Sequence, residues 1–344
     1  MLKLLKERAL PPLTSRKAML DILQREEYGY LPPKPDTLTF SVTPKVIPSF
    51  CAGKADCHRV VASGTVGGKP FSFPFYATLP NDGERHPFFV HINFRPDVPD
   101  RYQPTEELVD AGFAVLSFSY LDVTTDNGDF TDGLAGALYE EGKRGPSDAG
   151  KLSMWAWAAQ RVMDYAETRT DVLDLTTAVV CGHSRLGKTA LLAAATDERF
   201  AFAYSNDSGC AGAAITRGKG GETVRAIYER FPFWFCKNYE RYVDNEDAMP
   251  FDQHFLAACC APRYVLIGSG SEDAWADPLS EQLTAYAASP AFPGGFPAPD
   301  RPAEIGEGFL SGRIGYHLRR GLHYFSRADW HRLIEFVKLH RESI

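Results

Sequence analysis

The sequence around Ser184 has the residue types and spacing that nucleophilic catalysis requires. The apolar segment 176–181 is typical of a buried strand, and Thr189 to Ala195 is strongly helical. Between them the chain reads Gly182-His183-Ser184-Arg185-Leu186-Gly187-Lys188. A serine on such a strand–turn–helix unit is lifted out of the sheet at a helix N-terminus, where backbone N–H groups favour a developing negative charge. We therefore predict that Ser184 is a nucleophile, although the common form of this turn has glycine where Leu186 stands.

The C-terminal part of the chain supplies two histidines that could act as the base for this serine. His323 follows a strand predicted near residues 314–318 and precedes a helix predicted from Arg327 to about Leu339. His317 lies inside that strand, where a structural histidine is the ordinary interpretation. A catalytic histidine belongs on a loop beyond the last strand, so we predict that His323 is the base.

A carboxylate must hold the base histidine in the correct tautomer, and Asp273 lies where one is expected. It follows a short apolar strand predicted over Tyr264 to Gly268. The chain order is then Ser, Asp, His, which is the order that a nucleophile on a strand–turn–helix unit usually has. We therefore predict that Asp273 completes a Ser-His-Asp triad.

Strands and helices alternate along the chain, which indicates an α/β protein with a mostly parallel central sheet and helices on both faces. Buried strands are predicted at 86–93, 113–118, 176–181, 200–205, 264–268 and 314–318. The clearest helix is predicted over 147–169 with Ser147 as its N-cap, and the polar stretch 122–145 is predicted to be a loop. Residues 1–344 contain no repeat and no linker, so they are predicted to form one domain, with an N-terminal arm (1–35) and an insertion (210–262) that contributes to the substrate pocket.

The composition excludes several classes of function. The chain has 344 residues, 44% hydrophobic and 24% charged, which is typical of a globular protein with a large core. Its 37 basic and 44 acidic residues give a net charge of −7 without any Lys/Arg block, so we expect no nucleic-acid partner. Apolar runs are far shorter than the ~20 residues of a spanning helix, so we expect no membrane partner. The oligomeric state is left open.

The N-terminus and the cysteines bear on the compartment. Residues 1–8 carry charges where a signal peptide would be apolar, so a cytoplasmic location is expected; the alternative is a secreted protein whose signal has been removed. The seven cysteines have neither CxxC nor zinc-finger spacing, so we expect no metal site. Reduced, mostly buried thiols are expected, with a bridge between Cys51 and Cys57 as the alternative in an oxidising compartment.

The segment Gly182-x-Ser184-Arg185-x-Gly187-Lys188 resembles the nucleophile motif of the glucuronoyl esterases, carbohydrate esterase family fifteen. The resemblance continues in the family's order over roughly residues 176–331, through Ser205-Asn206-Asp207-Ser208-Gly209, Phe231-Pro232-x-Trp234-Phe235, Pro250-Phe251-Asp252-Gln253-His254, Glu272-Asp273-x-Trp275-x-Asp277-Pro278 and Gly321-x-His323. It implies the α/β-hydrolase fold, a three-layer sandwich, and a serine esterase that needs no cofactor.

The resemblance also implies roles for residues near the serine. The arginine after the nucleophile aids the oxyanion hole in that family, which assigns Arg185 this role through its backbone N–H and guanidinium. Many members carry Glu at the position of Asp207, so Asp207 is the alternative acid to Asp273, although the shorter side chain reaches less far. Fungal members have a disulfide-bonded Cys directly before the serine; His183 stands here, so that bridge is absent.

Four further residues are implied as substrate contacts. Lys188 lies one helical turn beyond the nucleophile, so its ammonium is expected to meet sugar hydroxyls. Trp275 matches the family's tryptophan that packs near the sugar ring. Glu222 and Gln253 lie in the predicted insertion, where the family places polar sugar-binding groups.

The leading hypothesis is therefore a serine carboxylesterase that hydrolyses esters of glucuronic or 4-O-methylglucuronic acid, as in lignin–glucuronoxylan linkages. The expected partner is a carbohydrate ester derived from glucuronoxylan. One alternative is an acetyl-xylan or general carbohydrate deacetylase, in which the sugar is the alcohol and not the acid. A third hypothesis, a non-catalytic carbohydrate-binding α/β-hydrolase module, predicts loss of the nucleophile, base or acid, and all three are present here.

Overall fold

The computed structural model describes residues 1–341, and within that range one ten-stranded sheet carries helices on both faces. The strands are β1 (Thr37–Thr43), β2 (Ala55–Val66), β3 (Lys69–Pro80), β4 (His86–Asn93), β5 (Ala114–Ser119), β6 (Leu173–His183), β7 (Phe202–Asn206), β8 (Tyr264–Gly270), β9 (Gly308–Phe309) and β10 (Ile314–Arg319). The α-helices are α1 (Leu2–Glu7), α2 (Arg16–Leu23), α3 (Thr105–Asp110), α4 (Gly133–Leu138), α5 (Lys151–Ala166), α6 (Arg185–Thr196), α7 (Val224–Arg230), α8 (His254–Ala258), α9 (Pro278–Ala288) and α10 (Arg327–Arg341). The predicted domain, 1–344, includes residues 342–344, which lie outside the described part.

The order of the strands identifies the architecture. It runs β1-β2-β3-β5-β4-β6-β7-β8-β10-β9. Every neighbouring pair from β5 to β10 is parallel, while β1, β2, β3 and β9 pair antiparallel toward the two edges. A mostly parallel sheet with β4 and β5 exchanged in order is the α/β-hydrolase fold, so the predicted fold class is confirmed.

Alternate residues of the central strands enter two separate cores, because successive side chains of a strand point to opposite faces. Phe88 and Val90 of β4 pack into the larger core with α5 and α6, whereas Phe89 packs into the smaller core with α3 and α10. Both faces are therefore apolar. This explains why β4 and the last part of β6 contain almost continuous apolar residues.

The region before α5 differs from the prediction. The predicted loop 122–145 contains the short helix α4, which Gly133 begins with a φ of +47°. The long helix begins at Lys151 with Gly150 at the N-cap, and not at Ser147. The Ser147 hydroxyl instead donates to the carbonyl of Arg25, 3.1 Å away, so it holds the N-terminal arm and is not available as a cap.

The N-terminal arm and the insertion both pack on the domain. Arg16 of α2 donates to the carbonyls of Ala195 (2.7 Å) and Cys259 (2.8 Å). The insertion contains α7 and α8.

All seven cysteines are buried free thiols, so the Cys51–Cys57 bridge does not form. Among residues 1–341, no helix combines the length and apolar character needed to cross a bilayer.

Candidate active site

Ser184 lies at a sharp turn between β6 and α6. Its backbone has φ +58° and ψ −127°, a region that costs a non-glycine residue about 1–3 kcal/mol. Two glycines permit the turn: a Cβ on Gly182 would lie 2.3 Å from the carbonyl oxygen of Leu186, and one on Gly187 would lie 3.1 Å from the Ser205 hydroxyl oxygen. Leu186 is fully buried in the core, which explains why an apolar residue replaces the usual glycine there. The half-buried Ser184 thus begins a helix whose first N–H groups have no acceptor within the helix.

His323 and Asp273 come together from two different loops. His323 follows β10, Asp273 follows β8, and Nδ1 of the histidine lies 2.5 Å from Oδ2 of the aspartate. The other oxygen of Asp273 accepts the N–H of Ala276 (3.1 Å). Burial would raise the pKa of Asp273, but the hydrogen bond and charge of His323 outweigh that effect and hold the pKa below its ordinary value. Asp273 is therefore an ionised partner for Nδ1, which leaves Nε2 of His323 free for a second group.

Ser184 and His323 line the same cleft, which has a volume of about 190 Å³. Its remaining lining residues come from α6, the loop after β7, the insertion and the loop after β8: Arg185, Lys188, Asp207, Ser208, Gly209, Glu222, Arg230, Phe231, Trp234, Trp275 and Ala276. The structure therefore brings together the predicted nucleophile, base and acid, and the insertion contributes to the pocket.

Asp207 lies beside the pair but does not bind the histidine. Oδ1 of Asp207 accepts the N–H of Gly270 (2.5 Å), and Oδ2 accepts Nη2 of Arg319 (2.8 Å). Burial, and then the charge of Glu281, raise the pKa of Asp207 well above its ordinary value. One oxygen of each aspartate, Asp207 and Asp273, and one nitrogen of His323 lie within 4.8 Å of one another, the spacing of a metal site. Both oxygens of Asp207 accept N–H groups, from Gly270 and Arg319, and Nδ1 of His323 is bonded to Asp273.

The other histidines of this region are structural. His317 is buried in β10, where its Nε2 lies 2.9 Å from the Tyr204 hydroxyl, and burial lowers its pKa to about 4. It does not line the cleft. His183 is also buried, with Nδ1 2.7 Å from Oδ1 of Asn206. His323 is therefore the histidine that the structure places in the cleft with the serine.

The guanidinium of Arg185 lies over an aromatic surface at the cleft wall. Its central carbon is 4.7 Å from the Trp234 ring centroid and 5.2 Å from that of Phe231, and those two rings stack at 3.9 Å. Nη1 of Arg185 donates to Asp126, whose other oxygen accepts the Trp234 indole N–H (2.6 Å). The backbone N–H of Arg185 opens α6 next to the serine, as the oxyanion role requires.

Lys188, Glu222 and Trp275 form one network in the cleft. The Lys188 ammonium is buried and donates to the carbonyls of Ser208 (2.6 Å) and Cys210 (2.5 Å) and to Oε2 of Glu222 (3.2 Å). Oε1 of Glu222 accepts the indole N–H of Trp275 (3.2 Å), while half of the Trp275 surface is exposed. The three N–H groups of the ammonium thus already have acceptors, and Glu222 is the polar group that they orient.

Gln253 is not in the cleft, contrary to the prediction. It is fully buried behind it, where Nε2 donates to Glu27 (2.9 Å) and Oε1 accepts the Tyr28 hydroxyl (3.0 Å). Its amide fastens the end of the N-terminal arm to the insertion, so it has no free group for a sugar. The expectation of a substrate contact at Gln253 is wrong.

Sequence reasoning assigned no role to Asp126, Arg230, Phe231 or Trp234. The signal for two of them was present, because Phe231 and Trp234 belong to an aromatic motif in the insertion. Asp126 had no such signal, since it lies in a polar stretch 108 residues before the tryptophan that it binds. Only the folded chain brings it under Arg185.

Comparison with known proteins places the chain in a family. The family model for fungal glucuronyl esterases matches residues 63–293, which is more than half of the chain. A carbohydrate esterase from an unknown prokaryotic organism is 42% identical over 241 residues, 68% of this chain and 55% of the relative. A 4-O-methyl-glucuronoyl methylesterase of Podospora anserina is 29% identical over 276 residues, 77% of this chain and 52% of the relative.

The chain thus spans about half the length of these curated relatives. A solved glucuronoyl esterase from Solibacter usitatus superposes with a TM-score of 0.85 at 31% identity, covering 94% of this chain and 91% of that one. Family model, sequence relatives and fold agree: the chain belongs to the glucuronyl esterase family.

Proposed function

We propose that this protein is a serine carboxylesterase that hydrolyses esters of glucuronic or 4-O-methylglucuronic acid. The observation that carries the proposal is the bond from His323 Nδ1 to Asp273, together with Ser184 on its strained turn in the same cleft. Nucleophile, base and orienting carboxylate are the parts that acyl transfer through a covalent intermediate requires. The relatives named 4-O-methyl-glucuronoyl methylesterases support glucuronic acid as the acid component of the ester substrate.

The proposed reaction has two steps. The hydroxyl of Ser184 attacks the C6 carbonyl of the uronate ester, while Nε2 of His323 takes its proton and then protonates the leaving alcohol. Water, activated by the same nitrogen, hydrolyses the resulting acyl-enzyme and restores the serine. Asp273 holds Nδ1–H throughout, and the backbone N–H of Arg185 faces the oxyanion; one such donor is worth about 2.7–4 kcal/mol in other hydrolases.

The uronate ring occupies the part of the cleft beside the nucleophile, between α6 and the loop after β8. Glu222 is held there by Lys188 and Trp275, so its carboxylate can accept hydrogen bonds from ring hydroxyls. The exposed half of Trp275 packs on the ring. An acetyl group has neither hydroxyls nor a ring, so a deacetylase would leave this network without a role on the acyl side.

The decisive experiment is a side-by-side assay of benzyl glucuronate and acetylated xylo-oligosaccharides with the wild-type protein. We expect hydrolysis of the glucuronate ester, and preference for the acetylated substrate would favour the deacetylase. Ser184→Ala and His323→Ala should each lower kcat about 10⁴- to 10⁶-fold, and the double variant should be little worse, because the members of a triad act as a unit. Near-wild-type turnover in either single variant would contradict the triad. Absence of any ester hydrolysis would favour a binding module.

A further inference from the structure

Arg319, the last residue of β10, is enclosed by the loop that carries the base. We call residues 320–324 the base loop. Nη1 of Arg319 donates to the carbonyls of Arg320 (3.3 Å) and Leu322 (3.0 Å), and Nη2 donates to the carbonyl of Tyr324. Three carbonyls of one short loop therefore converge on one guanidinium, and two of them flank His323.

Two buried carboxylates complete the surroundings of this guanidinium. Nε of Arg319 donates to Oδ2 of Asp329 (2.6 Å), and Nη2 also donates to Oδ2 of Asp207 (2.8 Å). Asp329 in turn accepts the N–H of Ser326 (2.7 Å) at the start of α10. An arginine side chain has five N–H donors, so each of them has an acceptor here.

The side chains of the base loop are partly exposed, although His323 packs on His183 (4.4 Å) and Tyr324 on Tyr102 (4.9 Å). Leu322 is 67% exposed, Tyr324 is 37% exposed and the side chain of His323 is 42% exposed. Segments with few buried apolar contacts open at low free energy unless other bonds hold them. Ser271, Glu272 and Asp273 each bind this loop at one point, whereas Arg319 binds three of its carbonyls at once.

The end of β8 forms the opposite wall of the same site. A Cβ on Gly270 would lie 2.7 Å from the carbonyl oxygen of Gly321 and 2.9 Å from that of Leu322, so the two backbones approach as closely as glycine allows. The N–H of Gly270 donates to Oδ1 of Asp207 (2.5 Å). Asp207 thus joins β8 to the loop that carries the base, mainly through Arg319 and also through the Tyr324 N–H, which its Oδ2 accepts at 3.4 Å.

We propose that Arg319 is a positioning residue for the reaction: its guanidinium fixes the base loop so that His323 faces both Asp273 and Ser184, and Asp207 acts through Arg319 and not on the histidine. This inference rests on the proposed function, in which His323 is the base. Lysine has the same charge but only three donors on a single nitrogen, so it cannot hold three carbonyls and two carboxylates together.

The test is Arg319→Lys with Arg263→Lys as its matched control. Arg263 also donates to several backbone carbonyls, among them those of Ala194 (2.8 Å) and Phe200 (2.8 Å), but it precedes β8 at the end of the sheet away from the cleft. Melting temperature, kcat and KM for benzyl glucuronate are measured for both variants. We expect Arg319→Lys to lower kcat about a hundredfold with little change in KM, as a small misplacement of a catalytic group does. Arg263→Lys should lower only the melting temperature.

Asp207→Asn serves as a second, milder variant if Arg319→Lys does not fold. It removes one of the two acceptor oxygens that bind Arg319 and Gly270 and should lower kcat by about tenfold, again with KM unchanged. Equal loss of kcat in Arg319→Lys and Arg263→Lys, a rise in KM alone, or wild-type kcat in Arg319→Lys would overturn the inference. Ser184→Ala and His323→Ala are assayed alongside. If they stay active the proposed function fails, whereas inactive triad variants with an active Arg319→Lys refute the positioning role alone.

Discussion

The ring of His183 packs against the ring of His323, with their centroids 4.4 Å apart. His183 also stacks on Tyr102, with ring centroids 5.6 Å apart. Burial, and then the charge that His323 can carry, hold the pKa of His183 well below its ordinary value. His183 is therefore an uncharged ring that packs beside the base, and it does not repel a protonated His323.

This contact predicts different outcomes for two substitutions of His183. His183→Phe keeps a flat ring beside His323 and should retain most of the turnover, although loss of the bond to Asn206 should cost about 1 kcal/mol of stability. His183→Ala removes the ring and should lower kcat about tenfold to a hundredfold, because the imidazole can tilt away from the serine. The kcat, KM and melting temperature of both variants check this; equal inactivity would assign the effect to the Asn206 bond instead.

The two aspartates near His323 should differ in their effect on turnover. Asp273→Asn replaces the carboxylate that binds Nδ1 and should lower kcat by about 10⁴, since an amide neither fixes the tautomer nor stabilises the imidazolium. Asp207→Asn leaves that bond intact, so its loss of kcat should be at least about tenfold smaller than the loss in Asp273→Asn. Steady-state kinetics of the two variants with one glucuronate ester measure the difference. The reverse order would show that Asp207 is the acid of the triad.

The network of Lys188, Glu222 and Trp275 should make the protein prefer esters whose acyl group is a uronate over acetyl esters. Glu222→Gln and Lys188→Ala should each lower kcat/KM for benzyl glucuronate about tenfold to a hundredfold, since a hydrogen bond to a charged group is worth about 1.5–3 kcal/mol. A small acetyl ester has no hydroxyls to lose, so its kcat/KM should change much less.

Trp275→Phe is the control for this network. It keeps an aromatic ring but removes the indole N–H that Glu222 accepts, so it should have a smaller effect than Glu222→Gln. The quantity to compare is the ratio of kcat/KM for the two esters in each protein. An unchanged ratio in Glu222→Gln would mean that this network does not contact a sugar on the acyl side, and the deacetylase would become the better assignment.

Glu27, at the end of the N-terminal arm, should make stability depend on pH. Burial raises its pKa to about 8 in the folded protein, from 4.5 for an ordinary glutamate. The folded state therefore holds this proton more tightly than the unfolded state. The contribution of protonated Glu27 to the free energy of unfolding is fully present below pH 4.5. It is lost as the pH rises toward 8, at about 1.4 kcal/mol per pH unit.

The measurement is urea unfolding of the wild type and of Glu27→Gln at pH 5 and pH 8. The free energy of unfolding of the wild type should fall relative to that of the variant as the pH rises, because glutamine does not titrate. Other buried acids, such as Glu281 with its pKa raised to about 7, act in both proteins and cancel in the comparison. Parallel pH dependence of the two proteins would contradict the assignment to Glu27.

Local sequence patterns predict most of the strands and helices and the position of Ser184 at a strand–helix turn. An apolar run of strand length, two glycines and a helical segment all lie within residues 176–195, and together they predict the turn at Ser184. His323 could be placed beyond the last strand for the same reason. Ser326 and Asp329, at the start of α10, also lie within one turn of each other, and their reciprocal hydrogen bonds are those of a capping box.

The pairing of side chains from distant loops depends on the tertiary structure. Asp273 and Asp207 both lie beyond parallel strands at the same edge of the sheet, so their spacing along the chain does not distinguish them. In the folded chain Asp273 binds His323, whereas Asp207 binds Arg319. Gln253 and Glu222 are both polar residues of the insertion, yet one is buried against the arm and the other lines the cleft.

The same holds for the partners of charged groups. Lys188 uses its donors on carbonyls of a loop 20 residues away, and Arg319 reaches an aspartate 112 residues away. Such pairs form because the parallel strands end together and bring distant loops to one edge, where a buried charge must find a partner. Local periodicity predicts whether a segment is a strand or a helix. It does not predict which of several polar side chains will meet across that edge.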